Sequence, residues 1–79
     1  MQTLSDLKLG DSAEVLRLEI PGAADRQKLF ACGLVPGAEV TVVRIAPLGD
    51  PMQIRLAGDI LLSVRKAEAT HVKVNCTNR

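Results

Sequence analysis

The hydrophobic pattern changes period in the middle of one stretch, Arg26 to Val43 (RQKLFACGLVPGAEVTVV), and the rest of the chain is organised around that change. Ala23 to Cys32 reads as a helix. It is made of good helix formers, Leu29 and Cys32 lie three apart on one face, and Asp25 sits near the positive N-terminal end. Gly33 ends it, because glycine takes the left-handed conformation of a helix C-cap at no steric cost, and Leu34 can fold back on the last turn. Pro36-Gly37 has the residue order of a type II turn. The β-branched run Glu39 to Ile45 then predicts a strand with Val40 and Val42 on one face and Thr41, Val43 and Ile45 on the other. Both faces are apolar, which marks it as the most buried strand.

On either side of this unit the period is close to two. Ser12 to Ile20 reads as a strand with Glu14, Leu16, Leu18 and Ile20 on one face and Ala13, Val15, Arg17 and Glu19 on the other. The alternation is imperfect at Leu16, which is placed as exposed or at a bend. Met52 to Leu56 alternates cleanly, with Met52, Ile54 and Leu56 inward. Ala57-Gly58-Asp59 turns a hairpin into Ile60 to Val64, with Ile60, Leu62 and Val64 assigned to the core. Arg65 to Thr70 is a single helical turn, Val72 and Val74 form the last strand, and Asn75 to Arg79 reads as a frayed tail. Before the first strand, Leu4, Leu7 and Leu9 are spaced for a short helical or irregular turn with Ser5 or Asp6 as its cap. Ala46 to Pro51, with two prolines, a glycine and an aspartate, is a loop.

Five short strands in 79 residues cannot form an open two-layer sandwich with a useful core. A small, strongly bent β-barrel of about five strands, with the helix capping one open end, solves the packing and removes exposed strand edges. The fold class is mainly β and the whole chain, 1–79, is one domain.

Composition narrows the function. Phe30 is the sole aromatic residue and the net charge is +1, so stacking platforms and a basic groove for nucleic acid are both missing. A core this small leaves no room for an enzyme pocket, and no nucleophile–base pair or phosphate-binding glycine loop is present, so no catalytic residue is assigned. Two cysteines far apart fit a reducing compartment rather than a disulfide scaffold. No signal peptide and no run of about 20 apolar residues is found, which predicts a soluble cytoplasmic protein with no direct membrane insertion.

Candidate chemistry is sparse. A metal site needs about three or four converging ligands, and His71, Cys32, Cys76 and scattered carboxylates show no CxxC or HxxxH spacing, so no metal or cofactor is assigned. Cys32, near a helix C-terminus, reads as a small buried hydrophobe, and Cys76 as a thiol in a polar tail. Asp50, between Gly49 and Pro51, reads as an Asx-type turn bonding its local backbone. Leu29 and Phe30 point about 100° apart on a helix, so the core cannot take both equally. The exposed one, rimmed by Arg26 and Lys28 and joined by the Leu48-Gly49-Asp50 loop tip, is the best candidate contact patch.

Taken jointly, several short segments resemble the FeoA family, small SH3-like barrels of bacterial ferrous iron transport. They are Leu7-x-x-Gly10, Arg26 to Leu29, Gly33-Leu34-Val35-Pro36-Gly37, Arg44 to Pro51, Leu62-x-Val64-Arg65-Lys66 and Val72-x-Val74. Each alone is weak, but GLVPG followed by APLGDP is specific. Phe30 and Cys32 depart from the aliphatic residues of many relatives. The resemblance implies a cytoplasmic accessory protein, not an enzyme, that docks on and modulates FeoB, a membrane iron transporter with a G-protein domain. It would be peripheral to the inner membrane through that partner, with Arg26, Lys28, Leu29, Phe30, Leu48, Gly49 and Asp50 as the docking residues. The alternative is a small Fe(II)-binding sensor related to the SH3-like domain of DtxR-type repressors. No DNA-binding helices precede the domain in this sequence, which favours the free-standing form. A weak homo-oligomer is compatible with the sequence.

Overall fold

A computed structural model describes residues 2–77. The elements in order are strand β1 (Gln2–Thr3), a 3₁₀ turn (Leu4–Asp6), β2 (Ser12–Leu18), helix α1 (Ala23–Ala31), β3 (Glu39–Ile45), β4 (Met52–Leu56), β5 (Ile60–Val64), α2 (Lys66–Ala69) and β6 (Val72–Cys76). The six strands form one antiparallel sheet in the order β1-β6-β2-β3-β4-β5. Its concave side holds an aliphatic core in which Val15 faces Val74, Ala13 faces Val40, Val42 faces Ile54, and Met52 faces Val64.

The unit from α1 to β3 forms as its sequence dictates. Gly33, at φ +101°, ends the helix, with its N–H donating to the Phe30 carbonyl (3.0 Å) and the Leu34 N–H to the Leu29 carbonyl (3.0 Å). These are the two bonds of a Schellman cap, and Leu29 and Leu34 are both buried beside it. Gly37 is at φ +91° and the Ala38 N–H donates to the Val35 carbonyl at 3.0 Å, closing the Pro36-Gly37 turn.

Two strands depart from simple alternation. The β2–β6 register slips by one residue between Val15 and Arg17, and the β3–β4 register slips between Val42 and Arg44. An extra residue of this kind bends the strand and reverses its side-chain parity. Ala13 and Val15 are therefore buried before the slip and Ile20 after it, while Leu16 is exposed. This corrects the single face expected for Glu14, Leu16, Leu18 and Ile20, while Leu16 is exposed at a bend as expected. Likewise Ile45 packs against the same core as Val40 and Val42, although simple alternation puts it on the opposite face.

Closure is incomplete. Among the described residues the sheet has six strands, counting the two-residue β1, and keeps two edges: β1 pairs only with β6, and β5 only with β4. Ile60, expected in the core, is 50% exposed, since the first residue of an edge strand has a neighbour on one side only. Leu62 is half-buried and Val64 fully buried. At the N-terminus Leu4 and Leu7 are buried, and the turn begins at Thr3, whose N–H donates to Asp6 Oδ2 at 3.0 Å. At the other end, β6 continues through Asn75 to Cys76, and the Thr77 N–H donates to the Ser12 carbonyl at 2.9 Å. The expected frayed tail is thus ladder as far as Thr77, and Asn78 and Arg79 lie outside the described residues.

Candidate functional site

An open groove of about 710 Å³ lies where four segments meet. From α1 it takes Asp25, Lys28, Leu29 and Cys32; from the loop before β4, Asp50 and Pro51; from β5, Leu62 and Ser63; from α2 and its approach, Arg65, Ala67 and Glu68. Its charges are mixed, three carboxylates against two cations, around an aliphatic lining of Leu29, Pro51, Leu62 and Ala67. Such a surface suits a partner with both apolar and charged groups.

Asp50 helps to build the wall. Its Oδ1 accepts a hydrogen bond from the Lys66 N–H at 3.0 Å, so it satisfies an amide at the start of α2 sixteen positions away. The expected local Asx turn is corrected accordingly. The loop's own turn is closed by backbone bonds, Gly49 N–H to the Ala46 carbonyl at 2.7 Å and Ala46 N–H to the Pro51 carbonyl at 3.1 Å. Arg26 also has a structural role, since its Nη1 donates to the Ile20 carbonyl at 3.1 Å and ties α1 to the segment that follows β2.

The seven residues expected to form one contact patch are dispersed. Lys28, Leu29 and Asp50 share the groove. Leu29 is 3% exposed and Phe30 41%, so of this adjacent pair the core takes the leucine. Arg26, Phe30 and Leu48 do not line the groove; Leu48 stands 91% exposed at the loop tip. Gly49 lines a separate cavity of about 110 Å³ beside Leu7, Ile45 and Met52. The β5 and α2 contributions escaped sequence reasoning. The one signal for β5 was the unbroken apolar run Ile60-Leu61-Leu62, which no two-residue period can bury on one face.

Cys32 is half-buried at the helix C-cap, on the groove, rather than a core residue. Cys76 is also half-buried, paired opposite Ala13 in the ladder rather than placed in a polar tail, and neither cysteine is in a disulfide. His71 is exposed, and its carbonyl accepts the Glu19 N–H at 2.7 Å. Among the described residues no group of three or more His, Cys, Asp or Glu side chains is gathered for a metal ion. Nor, among them, is any helix long and apolar enough to cross a membrane.

An antiparallel sheet of six short, register-slipped strands with two helices is of the SH3-like barrel class. The chain belongs to the FeoA domain family, whose profile matches residues 2–76. It is similar to the Fe(2+) transport protein A/Fe(2+) transporter FeoB fusion protein of Porphyromonas gingivalis W83, at 38% identity over 71 residues. That match covers 90% of this chain and 8% of the fusion protein. Among solved structures, the FeoA protein of Chlorobium tepidum superposes with a TM-score of 0.88 at 42% identity, over 96% of this chain and 70% of that one. The zinc complex of Stenotrophomonas maltophilia FeoA, described as a prokaryotic SH3 domain protein, gives 0.79 at 33% identity, covering 95% and 91%. A manganese-dependent transcriptional repressor shares the fold alone, with a TM-score of 0.85 at 12% identity over 95% of this chain and 36% of the repressor.

Proposed function

We propose that this chain is a non-catalytic cytoplasmic module that docks on a FeoB-type ferrous iron transporter and modulates it. The observation that carries the reading is the fusion relative, in which a domain matching 90% of this chain lies in one polypeptide with a FeoB transporter. A covalent link holds two partners at a high effective concentration, and it is useful where they work in contact. In this reading the contact is made through the domain's own surface. The groove between α1, β5 and α2, with Phe30 and the Leu48 tip nearby in sequence to its walls, supplies apolar anchors and orienting charge.

The test is binding of the full chain to purified FeoB-type transporter in detergent or nanodiscs, read by calorimetry, with ferrous iron uptake followed in cells. Saturable binding, and uptake that falls when the chain is removed, are expected. No binding in any nucleotide state of the transporter, together with unchanged uptake, overturns the reading.

A further inference from the structure

The outer edge of β5 is one of the two open edges of the sheet among the described residues, and its Leu62 and Ser63 also line the groove beside α1, so a partner on this edge and one in the groove would compete. This strand, Ile60-Leu61-Leu62-Ser63-Val64, pairs only with β4 among the described residues. It carries no charge and no proline, the devices that usually blunt an edge. Two of its large side chains are also uncovered, Ile60 at 50% and Leu61 at 54% exposure. Opposite charges flank it: Asp59 precedes the strand and Arg65 follows it, both exposed.

We propose that this edge is a self-association surface, on which two copies pair β5 to β5, antiparallel about a two-fold axis at Leu62. In that register Ile60 lies opposite Val64 of the second copy, Leu61 opposite Ser63, and Leu62 opposite itself. All five residues of the strand are used. The next positions outward bring Asp59 of each copy to Arg65 of the other, so the symmetry makes two opposite-charge pairs and no like-charge pair. The occupant is thus a second copy, because the strand is complementary to itself in both charge and length. Hydrogen bonding across the edge continues the sheet through the dimer. The contact is one short ribbon, below the roughly 1,200 Å² of a stable interface, so a dissociation constant on the order of 0.1–1 mM is expected.

Sedimentation equilibrium and amide NMR of the full chain, across roughly 0.05–2 mM to bracket that range, test the proposal. A monomer–dimer equilibrium is expected, with concentration-dependent shifts centred on residues 59–65. Leu61→Lys places two cations near each other across the axis on an exposed position, and should abolish dimerisation with the fold intact by circular dichroism. Arg65→Glu sets like charges at both ends and should weaken dimerisation roughly three- to tenfold. Adding Asp59→Asn to it should recover part of that loss, and asparagine tolerates the φ of +61° found at this position. A chain that stays monomeric throughout, or dimerises equally well with Leu61→Lys, overturns the proposal. So does perturbation of 59–65 only when transporter is added, which would give the edge to a different occupant.

Discussion

The Gly37 amide donates to the Val15 carbonyl at 2.7 Å, and the Val15 amide returns a bond to Ala38 at 2.8 Å. The turn between α1 and β3 is thereby fastened to the middle of β2, one residue before its register slips. Gly37 holds φ +91°, and a Cβ built there meets nothing within 4 Å. The requirement for glycine is therefore conformational rather than steric. Gly37→Val should destabilise the fold by about 1–3 kcal/mol, since a β-branched residue is strained at positive φ. A thermal melt unchanged by Gly37→Val would show that the turn can be remade without positive φ.

Leu29 and Phe30 offer a direct separation of stability from recognition. Leu29 is inside, next to the Schellman cap, and Leu29→Ala should cost about 2–5 kcal/mol. Phe30→Ala removes a ring that is largely in water, and should cost less than about 1 kcal/mol while reducing transporter binding or iron uptake. Chemical denaturation of both variants, beside an uptake assay, checks the pair. Equal destabilisation would place Phe30 in the core and remove it from the docking surface.

The Asp50–Lys66 bond predicts a graded response. Asp50→Ala leaves the first amide of α2 without its side-chain partner and should cost about 0.5–1.5 kcal/mol. Asp50→Asn keeps an acceptor oxygen in place and should stay within about 0.5 kcal/mol of the parent. Hydrogen exchange at the Lys66 amide is the more local readout, faster in the alanine variant than in the asparagine variant. Identical exchange in the two would mean that solvent replaces the carboxylate without loss.

These elements also explain how much the sequence could reveal. The helix stop at Gly33, the Pro36-Gly37 turn and the Ala57-Gly58-Asp59 hairpin were legible because each is set by the conformational limits of a few adjacent residues. Strand faces were legible only up to the register slips at Leu16 and Val43, because a slip is settled between two strands and leaves no mark within one. Ile60 was misplaced for a related reason: its position on an edge follows from strand order, which the residues of β5 do not encode. In the candidate site, Lys28, Leu29 and Asp50 could be found from arguments about the faces of α1 and about the proline-bounded loop between β3 and β4. The Asp50 partner could not, since Lys66 comes beside it only after β4 and β5 have folded.

Metal binding is a further point of test. With no cluster of three or more ligands among the described residues, anaerobic titration with Fe²⁺ should give at most weak heats, and chelators should leave the melting temperature unchanged. A tight stoichiometric site abolished by His71→Ala would favour the iron-sensor alternative instead.

Arg26 and Lys28 lie two positions apart on α1, and the structure gives them different work. The Arg26 guanidinium, half-buried, bonds the Ile20 carbonyl at 3.1 Å and holds the N-terminal half of the helix to the chain leaving β2. Lys28 is exposed and lines the groove with its charge available to a partner. Arg26→Ala should therefore lower stability by about 1 kcal/mol, through a lost charge-assisted bond and lost stem packing. Lys28→Glu should leave the melt within about 0.5 kcal/mol of the parent, as expected for a surface substitution. It should instead slow association with the transporter, with an effect that shrinks as salt is raised. Association kinetics at two ionic strengths, beside a denaturation curve for each variant, distinguish the two roles. If Arg26→Ala left stability intact while Lys28→Glu changed neither the rate nor its salt dependence, the contact surface would lie away from this groove.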